Sequence, residues 1–224
     1  MKLRFKFKNG EIIVINVDEL IKQGLLIVGD NVTIQPGVIL GVLEDDEPTC
    51  TKPEKIYIGS NTIIRSGAVI YQGVEIGENC KIGHGCIIRK NVKMGDHVCL
   101  SHYVTVEYNS KLGNWVRISP HTHVTSSCVL EDRVFLGAGV ATVNSKYLDW
   151  KKAETEHLEP PYFSYGARVG SGSTVLSNVK IGKLATVGAG STVTKDIPEK
   201  TIYVSDAAKF LKVQRNEQLK ANGK

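Results

Sequence analysis

The chain has 224 residues, of which 42% are hydrophobic and 23% charged, and a net charge of +5. That length holds one sizeable domain with small appendages. The mild basicity suits an anionic small molecule, and no basic block with interleaved aromatics points to nucleic acid. The opening Met1-Lys2-Leu3-Arg4-Phe5-Lys6 leads into no apolar leader core, and no stretch reaches the length of a membrane span, so a soluble cytoplasmic protein is expected. The five cysteines are odd in number and form no CxxC pair, which argues against a zinc ribbon or a redox motif.

In chain order, residues 3–8 and 11–17 read as a hairpin about Asn9-Gly10, a type I′ turn signal. A short helix is expected at 18–23, and residues 1–26 together would cap whatever follows. Val28, Ile34 and Leu40, with Val32 and Val38 between them, begin a six-residue rhythm. A polar, proline-bearing segment then breaks it, an excursion at about 43–55.

From Ile58 the rhythm is unbroken. Ile58, Ile64, Ile70, Ile76, Ile82, Ile88, Met94, Leu100, Val106, Leu112, Ile118, Val124, Leu130, Leu136 and Thr142 recur every sixth residue. Four residues after each stands a small or β-branched one, from Thr62 to Val140. Neither a helical nor an alternating period produces this. A six-residue unit is one short strand and a corner, three units close a triangular coil of 18 residues, and coils stack about 4.8 Å apart by parallel strand pairing. The expected fold is therefore an all-β, parallel β-helix. Cys80, Cys86 and Cys128 fall on the small interior position and read as reduced, buried fillers.

After Thr142 the phase is lost. It is expected to resume at Val169, 21 residues late, after an excursion at 144–166 that contains Trp150, Pro160-Pro161 and three tyrosines. Long excursions of this kind are usually functional. The β-helix would span 27–204, and residues 205–224 suggest a terminal helix.

The run Gly188-Ala189-Gly190-Ser191-Thr192-Val193-Thr194-Lys195-Asp196-Ile197-Pro198 closely resembles the last coil of the hexapeptide-repeat acyltransferases. Thr62–Gly67, Ile82-Gly83-His84-Gly85 and Phe135-Leu136-Gly137-Ala138-Gly139 extend the resemblance over roughly 28–210. Val204-Ser205-Asp206-Ala207-Ala208-Lys209 departs from that family's usual following turn. The resemblance implies left-handed winding, a homotrimer with active sites between subunits, and acetyl-CoA as co-substrate in the groove between adjacent prisms. It is greatest to the branch that N-acetylates nucleotide-linked amino sugars for surface glycans. By that resemblance Ala138, Gly139, Gly188, Ala189 and Lys195 contact CoA.

Acetylating an amine needs a deprotonated nucleophile, a thioester beside it and donors for the oxyanion. The 18-residue coil stacks His84 under His102, with Pro120 and Ala138 above. Beside them run Gly85, Tyr103, His121 and Gly139. His121, on the order of 5 Å from Gly139, is the candidate base or its orienter. His102 would hold the sugar or relay a proton, and His84 would contact substrate. His123 points outward; His97 and His157 read as surface residues. Some sugar-nucleotide relatives carry a Glu-His-Asp stretch where this chain has Glu107-Tyr108-Asn109, so that base does not carry over. Tyr108 stacks with Ser126 and Asn144, and both Tyr108 and Asn144 are candidate substrate contacts. Other readings remain: catalysis by positioning without a protein base, O-acetylation, a non-catalytic scaffold, or a carbonic-anhydrase-like zinc enzyme. The two-residue spacing of His121 and His123 counts against the last, and no metal is expected.

Overall fold

The computed structural model describes residues 3–6, 12–15, 17–42, 54–146 and 158–205, the first two segments as backbone. Within these, the periodic residues do form a triangular prism. Three parallel sheets of eight, nine and eight strands make its faces, each strand pairing with those one coil before and after. The first face runs from Leu26–Val28 to Lys180–Ile181, the second from Thr33–Ile34 to Ile202–Tyr203, and the third from Ile39–Val42 to Thr192–Val193. The 18-residue coil is visible in the register, where Ile82 pairs with Ile64 below and Leu100 above.

Most strands are two residues long, one turned inward and one outward. The inward residue is the periodic aliphatic one, and Ile64, Ile70, Ile82, Ile88, Ile118 and Leu136 are fully buried. Burying such a side chain contributes about 1.5–3 kcal/mol, so the stacked rows supply the stabilisation that two-residue strands lack. The small position is buried just as completely. Where it is polar, its hydroxyl is satisfied: Thr62 donates to the Gly77 carbonyl at 3.0 Å and accepts the Cys80 amide at 3.1 Å. Ser110 bonds the Thr125 carbonyl and the Cys128 amide in the same way. No buried side-chain nitrogen or oxygen is left without a partner among the described residues, as a close-packed interior requires. Cys80, Cys86 and Cys128 lie inside, as expected, and Cys99 lies on an outer face.

The corners set the residue types. At the first corner, between the first and second faces, Asp96, Asn114 and Asp132 each accept the amide of the coil below, from Glu78, Asp96 and Asn114 at 2.7–2.8 Å. Gly59, just before this corner, is required by close approach: a Cβ there would lie 2.5 Å from the Gly77 backbone.

Two expectations need correction. The strands at the N-terminus are Leu3–Lys6 and Ile12–Ile15, and the helix after them is Val17–Lys22. Leu3 pairs with Ile15 and Lys6 with Ile12, a register centred on Asn9. A two-residue turn at Asn9-Gly10 would centre it half a residue later; the turn itself lies outside the described residues. The early coil is present, and Val28 pairs with Ile58, twelve residues beyond one coil, which places the first excursion between the third and first faces. The second excursion is shorter than expected. Strand Tyr162–Phe163 pairs with both Val129–Leu130 and Lys180–Ile181, so the prism resumes at Phe163, fifteen residues late. The interior position there holds a fully buried phenylalanine rather than an aliphatic residue, and Pro161 takes the small position. Glu131 anchors this return: it accepts the Tyr162 hydroxyl and, at 2.6 Å, the Tyr165 amide. Trp150, His157 and the expected terminal helix at 205–224 lie, apart from Ser205, outside the described residues.

Candidate active site

The second corner, between the second and third faces, carries two parallel rows. One reads Ser66, His84, His102, Pro120, Ala138, Ser171 and Ala189. The other reads Gly67, Gly85, Tyr103, His121, Gly139, Gly172 and Gly190. Stacking is direct: the His84 and His102 rings are 5.3 Å apart at 25°, and the Tyr103 and His121 rings 5.2 Å apart at 12°. The rows are tied across coils, with the Tyr103 amide donating to the His84 carbonyl at 2.8 Å and the His121 amide to the His102 carbonyl at 3.1 Å. The Gly139 amide donates to the Pro120 carbonyl at 2.9 Å, so His121 and Gly139 are consecutive steps of one row.

The second row is left-handed in backbone, with φ of 57° at Tyr103 and 59° at His121. Such a conformation costs a non-glycine residue roughly 1–2 kcal/mol. Elsewhere the same left-handed place is taken largely by glycine and asparagine; stacked aromatic rings take it here and, on the first corner, at His97 and Trp115. Above His121 the row is bare: around Gly139, Gly172 and Gly190 there is open space. The backbone amides of Ser171 and Ala189 beside them have no hydrogen-bond partner among the described residues. The corner is thus a smooth, donor-bearing track with an imidazole at its foot. The His121 ring nitrogens have no hydrogen bond among the described residues. His84 Nδ1 lies 2.8 Å from Ser66 Oγ, and His102 Nδ1 accepts the His84 amide at 3.1 Å.

Of the residues named from sequence, the second corner brings together His84, His102, His121, Ala138, Gly139, Gly188 and Ala189. Gly188 sits just before the corner, with Val204 over it. Tyr108, Asn144 and Lys195 do not join them. They occupy the third corner, each two residues past a third-face strand, and Asn144 Nδ2 donates to Ser126 Oγ at 2.6 Å. Within one chain, the full third face separates the two groups. His97 stacks on Trp115 at 3.9 Å on the first corner, with Arg133 5.8 Å over the Trp115 ring.

The third face also holds a cluster not anticipated from sequence. Glu107 bonds Arg89 at 2.6 Å and lies 3.6 Å from His123 Nε2, while Arg89 packs over Tyr108 at 5.4 Å. Coil arithmetic carries the signal: Glu107 and Arg89 are 18 apart, and His123 is one coil up on the diagonal. Among the described residues no group of three or more His, Cys, Asp or Glu side chains is placed to hold a metal, and no helix is long and apolar enough to cross a membrane.

Residues 52–161 match the family model described as the GMPPB C-terminal domain. Residues 166–195 match the hexapeptide repeat of succinyl-transferase. With the coils already visible, this decides the family. The chain is a hexapeptide-repeat protein. It is 38% identical over 86 residues to the bifunctional protein GlmU of Carboxydothermus hydrogenoformans, covering 38% of this chain and 18% of that one. It is 32% identical over 89 residues to serine acetyltransferase 2 of Arabidopsis thaliana, covering 40% and 27%. This hexapeptide-repeat chain therefore spans less than a third of the length of either relative. Among solved structures it is similar to LpxA, a UDP-N-acetylglucosamine acyltransferase from Bacteroides fragilis, with a TM-score of 0.59 and 17% identity over 80% of this chain and 66% of that one. That likeness gives the fold, a left-handed parallel β-helix.

Proposed function

We propose that this protein is an acetyl-CoA-dependent acetyltransferase that N-acetylates a nucleotide-linked amino sugar in the cytoplasm. The observation that carries the reading is the second corner, where a bare run of three glycines, flanked by the free amides of Ser171 and Ala189 and by the Ala138 amide that donates to Ser171 Oγ, ends on His121. CoA is long and anionic, and its pantetheine amides are matched by stacked backbone donors that no side chain obstructs. The names of the relatives, an acetyltransferase and an acyltransferase among them, support the same chemistry.

In the reaction the neutral amine attacks the thioester carbon held at the foot of the track. The C–N bond forms, and collapse of the tetrahedral intermediate breaks the C–S bond. His121 takes the proton from the attacking nitrogen and passes it to the departing thiolate. Neutral imidazole suits this exchange near pH 7. Much of the acceleration comes from holding amine and thioester together. Tyr108, Asn144 and Lys195 act on the substrates from the third corner of a neighbouring protomer in a homotrimer, with Lys195 meeting a phosphate.

The test is calorimetric titration with acetyl-CoA and CoA, followed by thiol release from a panel of amino-sugar nucleotides, for wild type and His121→Ala. The expected result is about one CoA per chain and turnover that His121→Ala reduces on the order of 100-fold or more. Absence of CoA binding would remove the transferase reading. Acetylation of hydroxyl but not amino sugars would change the acceptor.

A further inference from the structure

We propose that His102 is a fixed hydrogen-bond donor, presenting Nε2–H to the thioester oxygen as it gains negative charge, and that it carries no proton during the reaction. This rests on the acyl-transfer reading above and assigns one residue's role within it.

The argument starts from a main-chain amide, which can only donate. The His84 N–H points at His102 Nδ1 from 3.1 Å. Nδ1 is therefore the unprotonated nitrogen, and the single ring proton of the neutral imidazole sits on Nε2. A second proton at Nδ1 would set two N–H groups against each other and break this bond. Passing a proton through the ring requires that state. His102 is thereby suited to donate and unsuited to relay. The ring is further held by its stack on His84, 5.3 Å away, and His84 is itself tied to Ser66.

Position agrees with this role. The bare track comes down the corner through Ala189-Gly190, Ser171-Gly172 and Ala138-Gly139 to Pro120-His121. Proline has no amide hydrogen, so the coil at the foot of the track offers no backbone donor from this row. The next donors down are both on His102: its Nε2–H, and its own amide, which has no partner among the described residues. A carbonyl oxygen that becomes an oxyanion beside His121 needs such donors in place beforehand.

Three substitutions separate the possible roles, because glutamine places an N–H near Nε2 whereas asparagine places an acceptor near Nδ1. His102→Ala and His102→Asn are expected to lower kcat about 100-fold with acetyl-CoA affinity unchanged. His102→Gln is expected to stay within about tenfold of wild type, with the acidic limb of the pH profile unmoved. Rescue by asparagine and not glutamine would mean that His102 only holds the His84 amide, and would overturn the proposal. Equal loss in all three, with a shifted acidic limb, would make it a proton carrier and overturn it also. If wild type binds no acetyl-CoA and turns nothing over, the transferase reading falls, and this role falls with it. The tautomer is testable separately by nitrogen NMR of the His102 ring in the wild-type protein, where a proton found on Nδ1 would overturn the premise itself.

Discussion

Phe163 pairs in register with Leu130 on the first face, in the interior place that periodic counting reserves for an aliphatic residue 18 positions on. Fifteen extra residues separate the two, yet the aromatic ring is fully buried and restarts the stack beneath Ile181. Phe163 carries the interior stack across the excursion, while Glu131 fixes the returning strand from outside.

Phe163→Ala is accordingly expected to cost about 3–5 kcal/mol, as truncation of a buried phenylalanine generally does. Urea unfolding should show a lower midpoint. Tyr162→Ala, which changes an outward side chain, should cost far less, and equal losses would show that Phe163 has no special place.

The cysteines should divide by reactivity. Burial pushes the Cys80 and Cys86 thiols up to about 11 and Cys128 higher still, against an ordinary value of 9.0. Since the thiolate is the nucleophile, brief alkylation of the native protein at pH 8 should label Cys99 and spare those three, as read by peptide mass spectrometry. The same shifts carry a sign for stability. The unfolded chain releases these protons from about pH 9, while the folded chain keeps them to about 11. Stability from this source is thus complete below pH 9 and is lost as pH rises through 11. A melting temperature that holds steady from pH 8.5 to 11 would contradict this.

His121→Asn should uncouple activity from stability. Asparagine accepts the left-handed backbone that His121 adopts at φ 59°, as Asn61 and Asn79 do on the first corner. Relief of that strain roughly offsets the lost stack on Tyr103, so unfolding free energy should change by no more than about 1 kcal/mol. Acetyl transfer should fall on the order of 100-fold. A variant that melts early in proportion to its lost activity would mark His121 as structural.

Two glycines should respond in opposite ways. Gly59→Ala forces a methyl to 2.5 Å from the Gly77 backbone, so a coil must shift and the protein should be strongly destabilised. Gly139→Ala meets only open space and costs the backbone about 1–2 kcal/mol through its φ of 65°. Its main effect should be a raised KM for acetyl-CoA, because the methyl stands on the track. An unchanged KM would move the donor site elsewhere.

The rows at the corners were legible because an 18-residue coil converts sequence offset into spatial neighbourhood. That arithmetic alone sets His102 over His84 and Gly139 over His121, and both relationships hold. It also sets Asn144 over Ser126, correctly. The same count places Tyr108, Asn144 and Lys195 one six-residue unit past His102, Ala138 and Ala189, hence on the next corner; the family resemblance that assigned them to one site does not say which edge of the prism each one decorates. The place of Phe163 was hidden for a simpler reason: counting looked for an aliphatic residue, and the chain used an aromatic one.

The sequence by itself determined the repeat, the interior, the buried thiols and the stacking of the histidines, since each follows from a period of six and the solubility of side chains. The tertiary structure alone decided where the stack resumes, that the Glu107 carboxylate reaches both Arg89 and His123, and which nitrogen of His102 faces the His84 amide. Those depend on hydrogen-bond directions and on side chains meeting across a face, quantities for which a linear pattern has no coordinate.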